Sequence, residues 1–109
     1  MSRFNHPTGT LAVTAAMLVG VAHAQAPVGS TLGRNLAAQC ATCHGTNGNS
    51  VAEVPSLAGQ PAATTVQKMK DYRDGKLPAS IMHQLAKGYT DEQILLMADY
   101  FSKQNSQAK

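Results

Sequence analysis

At 109 residues with a formal charge of +3, two cysteines, no tryptophan and 5% aromatic residues, the chain has room for one small domain and a thin core of its own. The charge is too small to argue for a nucleic-acid partner, and no apolar run approaches the ~20 residues that cross a bilayer.

The N-terminal segment reads as something other than the domain. Arg3 opens a weakly positive stretch, the apolar run "LAVTAAMLVGVA" spans Leu11 to Ala22, and Ala22-His23-Ala24 supplies an A-x-A pattern before the turn-forming "QAPVG". This order is that of a cleaved secretory signal peptide over residues 1–24. The alternatives are an uncleaved anchor or an ordinary buried helix. Cleavage removes one arginine and no acid, leaving +2, and predicts an exported, periplasmic protein without stable membrane insertion. The remaining domain, residues 25–109, is about 85 residues long, a size that buries only about 60% of its unfolded surface. A disulfide, metal or cofactor is expected at its centre.

The first predicted helix begins at Ser30 or Thr31, both N-cap types, and runs to about Thr42. Leu32, Leu36 and Cys40 stand at i, i+4 and i+8 on one face. After His44 the stretch "GTNGNSVAEVPSLAG" is loop chemistry, long enough to wrap something. Pro61 suits the start of a second helix that runs to about Asp74, with Val66, Met69 and Tyr72 inward and Gly75 closing it. "PASIMHQLAKG", Pro78 to Gly88, predicts a short helix between turns. Thr90-Asp91-Glu92-Gln93 is a capping box opening a last helix to about Lys103, with Ile94, Met97, Ala98 and Phe101 as its apolar stripe. No segment alternates with period two, so the fold class is all-α.

Cys40-Ala41-Thr42-Cys43-His44 carries the chemistry. A thioredoxin-type redox pair needs strands around it. Tetrahedral zinc needs a second pair of ligands, and only His83 lies downstream. The third reading is covalent haem c: C-x-x-C-H lets two thiols bond the vinyl groups on one edge of the ring, while the next residue turns its imidazole to the iron. Cys40 and Cys43 are then the anchors and His44 the proximal ligand. The ring also gives Leu36, Val54, Leu57, Val66, Ile81, Leu85, Ile94, Met97 and Phe101 something to pack around.

Candidates for the second axial ligand are Met69, Met82, His83 and Met97. Met69 and Met97 read as core residues. Met82 lies between two turns, where a side chain can be aimed, and its thioether would raise the reduction potential relative to two imidazoles. His83 is the alternative. Neighbours on a helix point about 100° apart, so only one of the two can face the iron. Pro55 is a candidate for the backbone carbonyl that holds the other nitrogen of His44. Lys68, Lys70, Arg73, Lys76 and Lys87 outnumber Asp71 and Asp74 across the middle, which reads as a solvated helix face or as a rim for an acidic partner. No paired carboxylates or nucleophile–base arrangement stands near the motif, so no catalytic residue is assigned.

"GRNLAAQCATCHGTNG", "VPSLAGQPAA", "KDYRDGK" and "MHQLAKGYTDEQILLMADYF", in this order, resemble a class I cytochrome c of the short bacterial type. The resemblance implies one cytochrome c domain wrapped around a single haem. It gives Cys40, Cys43 and His44 the haem-binding roles, Met82 the distal position and Pro55 the supporting carbonyl, with the first and last helices crossing near one haem edge. The stretch from Leu77 to Phe101 is similar to the cytochrome subunit of flavocytochrome c sulfide dehydrogenase. That similarity implies electron transfer from a flavoprotein subunit. A free carrier that delivers electrons to an oxidase or reductase shares much of the pattern, and this chain has one C-x-x-C-H where the dihaem members have two.

Overall fold

The structure is a computed structural model, described over residues 28–107; the predicted signal peptide lies outside the described residues. Among the described residues four helices occur in chain order: α1 (Val28–His44), α2 (Ala62–Arg73), α3 (Met82–Ala86) and α4 (Asp91–Ser102), with a 3-10 turn at Thr46–Gly48. Among the described residues there is no strand, and no helix is long and apolar enough to cross a membrane.

Helix α1 starts two residues before the predicted cap and continues through His44, so the whole C-x-x-C-H lies on helix. Helix α2 follows Pro61 as its N-cap and ends at Arg73, just before Gly75 at φ 73°. The short helix is confined to five residues; 76–81 is irregular and leads into Met82. At α4 both halves of the capping box are present, with Gln93 N donating to Thr90 Oγ1 at 3.2 Å and Thr90 N donating to Gln93 Oε1 at 3.0 Å.

Helices α1 and α4 cross, and α2 packs on α3 and α4. The predicted α4 stripe, Ile94, Met97, Ala98 and Phe101, is buried. With Met69 and Ala86, Ile94 and Met97 form a cluster that Leu36, Cys40, Val66, Tyr72 and Met82 flank. Of the predicted α1 face, Leu36 and Cys40 pack against the core cluster, and Leu32 does not. Leu32 is 45% exposed, while Gly33 and Ala37 are buried. A Cβ on Gly33 would stand 2.7 Å from the Leu96 carbonyl oxygen, so the crossing is closer than any side chain allows.

One expectation needs correction. Leu85 is 47% exposed because five-residue α3 seats Ala86 against α2 and leaves its neighbour about 100° round the helix. Ile81, 52% exposed, lines the cavity that Cys43, His44 and Met82 share, in keeping with its expected place around the ring.

Candidate haem site

Helix α1 delivers Cys40, Cys43 and His44 together because i, i+3 and i+4 share one side of a helix. Cys43 and His44 line a cavity of about 360 Å³. Cys40 sits on the core side, half-buried, with its Sγ 4.0 Å from Met97 Sδ. Burial pushes the Cys40 thiol up from its ordinary pKa, with the backbone opposing and Cys43 adding a smaller rise. Neither cysteine is in a disulfide. Among the described residues, no group of three or more His, Cys, Asp or Glu side chains is gathered for a metal.

The loop after α1 is folded by its backbone. Gly48 O accepts from Leu57 N at 2.8 Å and Ala58 N at 3.1 Å, pinching 48–58 into a closed turn. Gly48 has φ 80°, and a Cβ there would meet Phe101 at 2.8 Å and Ala58 N at 2.9 Å. Gly59 N donates to Phe101 O at 2.9 Å, and Tyr100 Oη donates to Asn47 Oδ1 at 2.7 Å, so α4 anchors the loop at both limbs.

The pinched turn carries Pro55 to His44: His44 Nδ1 stands 2.6 Å from the Pro55 carbonyl oxygen. A carbonyl can only accept, so Nδ1 carries the proton and Nε2 keeps the lone pair. The far side of the cavity is built by α2 and the segment before α3, through Met69, Tyr72, Ile81 and Met82. Val54 and Leu57 complete an apolar wall.

Of the distal candidates, Met82 and Met69 line this cavity; Met97 is buried against Cys40. His83, expected at the surface or haem edge, is half-buried and does not line the cavity; its Nδ1 is enclosed without a hydrogen-bond partner among the described residues. The cationic stretch is largely paired. Arg73 and Lys70 reach Asp91 at 2.8 and 3.3 Å, and Lys76 reaches Asp74 at 3.5 Å. Lys68 turns to the cavity, a placement hidden in a count of charges. Thr65 also lines it; its place four residues before Met69 on the same helix face was the signal, and sequence reasoning passed over it because the residue is polar.

An apolar slot, an imidazole nitrogen with a lone pair, a thioether and a pair of thiols on the adjoining helix form a donor set suited to a covalently attached haem. Comparisons with known proteins agree. The sequence model of the cytochrome c family matches residues 30–105, and the chain belongs to that family. It is 40% identical over 82 residues to the cytochrome subunit of sulfide dehydrogenase from Chlorobaculum tepidum, covering 72% of this chain and 74% of that one. It is 36% identical over 98 residues to cytochrome c-553 of Nitratidesulfovibrio vulgaris, covering 85% and 92%. The fold matches the cytochrome c4 structure from Acidithiobacillus ferrooxidans with a TM-score of 0.64 at 29% identity, over 76% of this chain and 52% of that chain; this chain spans about half of that structure. The protein thus carries one haem c bound through Cys40 and Cys43, and it transfers electrons to or from a redox partner; it is not an enzyme by itself.

Proposed function

We propose that the protein is an exported, periplasmic one-electron carrier with His44 and Met82 as axial ligands, working as the haem subunit that accepts electrons from a flavoprotein sulfide dehydrogenase. The observation that carries the ligation is that His44 and Met82 line one cavity from separate elements, with His44 Nδ1 tied to the Pro55 carbonyl. When bound, the haem supplies an iron that takes up and gives back one electron. The chain's part is to hold it. His44 presents Nε2 in one tautomer and orientation, because the Pro55 carbonyl removes the ring's freedom. Met82 offers a neutral thioether from a position packed on the core cluster. Val54, Leu57 and Met69 keep water from the ring faces. Export is supported by the sequence of residues 1–24 and by the extracytoplasmic setting in which bacterial haem c is attached.

The subunit role is supported by the similarity to the Chlorobaculum tepidum protein. A patch of Pro78 and Ile81, both exposed at the cavity mouth, offers apolar surface where a partner would approach the haem. The second reading is a free carrier, favoured by the match that covers 92% of a cytochrome c-553. Gentle purification from the native host separates the two. A flavin absorbance that co-elutes with low-spin haem c supports the subunit. The same haem bands on a flavin-free small monomer overturn it in favour of the diffusible carrier.

A further inference from the structure

We propose that Ser56 is a positioning residue for the His44 imidazole: it fixes the direction of the Pro55 carbonyl and, through it, the donor strength of His44 Nε2. That carbonyl needs a support. Pro55 is exposed, so water competes with His44 for its oxygen, and a proline has no amide hydrogen with which to anchor itself. The carbonyl shares one rigid peptide plane with Ser56 N, so its direction follows from how Ser56 is held.

Ser56 is held from three sides. Its Oγ accepts from Ser50 N at 3.0 Å, and Ser50 is 5% exposed. Its carbonyl oxygen accepts from Gln60 Nε2. The amide that follows it, Leu57 N, donates to Gly48 O at 2.8 Å. The Ser50 end is itself braced, since Ser50 Oγ accepts from Ala52 N at 3.2 Å and donates to Ala52 O at 3.3 Å. Gly48 closes the turn through the main chain whatever side chain stands at 56, so the effect of the hydroxyl falls on the Pro55–Ser56 plane. An alanine at 56 leaves the Ser50 amide without its acceptor and frees the plane to turn toward solvent. A carbonyl that accepts from Nδ1 makes the imidazole a stronger donor at Nε2, which favours ferric iron and holds the reduction potential down.

This rests on the reading of His44 as an axial ligand. The test is NMR spectroscopy, redox titration and thermal unfolding of the holoprotein as wild type, Ser56→Ala, Ser56→Thr and Asn49→Ala. Asn49 is the control. It ties the same loop to residues 105–107, donating to Asn105 O at 3.0 Å and accepting from Gln107 N at 2.8 Å, through hydrogen bonds that involve neither Pro55 nor Ser56. In Ser56→Ala the expected results are a higher potential and a His44 Nδ1 proton that exchanges with solvent roughly fivefold faster, the weight of one net hydrogen bond. Ser56→Thr keeps the oxygen and stays at wild-type values. Asn49→Ala lowers the melting temperature and leaves potential and exchange unchanged. A Ser56→Ala protein with wild-type potential and exchange overturns the proposal. So does an Asn49→Ala protein that shifts both as far, since a general loosening of the loop is then the cause. If Ser56→Ala does not fold, Gln60→Ala, which removes the second anchor of Ser56, must raise the potential in its place or the proposal falls. Ferric wild type whose His44 ring protons show no hyperfine shift removes the ligand and the proposal with it; the other failures leave the ligation standing.

Discussion

Replacing Gly33 with alanine sets helix propensity against tertiary packing. Propensity alone favours alanine in a helix interior by about 1 kcal/mol. The structure opposes it, because the new Cβ would lie 2.7 Å from the Leu96 carbonyl oxygen and 3.3 Å from its carbon. Both are backbone atoms, with no rotamer to retreat into, so α1 and α4 must separate by several tenths of an ångström. Overpacking of this kind costs about 1–3 kcal/mol, and a backbone obstacle belongs in the upper half of that range. The net expectation is a loss of about 1–2 kcal/mol, or roughly 5–15 °C in melting temperature for a domain this small. Gly29, one turn earlier, is the control: its Cβ would meet only Leu96 Cδ2 at 3.7 Å, so Gly29→Ala is expected to be neutral or slightly stabilising. Thermal unfolding of the two holoprotein variants, followed by far-ultraviolet circular dichroism, reads the difference. A Gly33→Ala protein as stable as wild type would refute the close crossing and the packing argument with it.

Met82→Ala is expected to abolish the far-red ferric band, lower the reduction potential and open the iron to added imidazole. Met82 also packs on the core cluster while only half-buried, so a stability loss of about 1–2 kcal/mol accompanies the change. A retained band would move the role to Met69, the other methionine on the cavity wall. For Asp91, the Arg73 guanidinium, and then the Lys70 ammonium, hold the carboxyl below its usual range. A depressed folded-state value contributes stability above the unfolded value of about 3.9, and that contribution disappears as pH falls through the lowered one. Urea midpoints of wild type and Asp91→Asn should therefore differ at neutral pH and converge in acid, with the gap shrinking at high salt. A gap that widens in acid contradicts the assignment.

Much of the site was legible because its chemistry is local. Cys40, Cys43 and His44 need only one helix to share a side, and their spacing states the use. The Thr90–Gln93 cap and the buried stripe of α4 are local in the same way, since each depends on the 3.6-residue period and on backbone groups within one turn. Pro55 stood out in the sequence as a turn, but its carbonyl reaches His44 only because Gly48 accepts two amides and Phe101 lies beneath it.

Hydrophobic periodicity placed Leu36 and Cys40 of α1 inward correctly and failed at Leu32, because it weights bulk. Leu32 marked the apolar face, yet the helices cross where bulk is least, at Gly33 and Ala37, and Leu32 is left in solvent. The same limit hid Leu85, Thr65 and Lys68, whose positions depend on where α3 ends and how α2 lies against the cavity. Residue order by itself determined the cofactor, its attachment and the helical class, because these follow from short-range spacing. Tertiary structure alone decided which small residues meet at the crossing, how the Pro55 carbonyl is brought to His44 and which polar side chains line the cavity. Those encounters join residues far apart in the chain, and they are set by how the loops close and how near the helices can come.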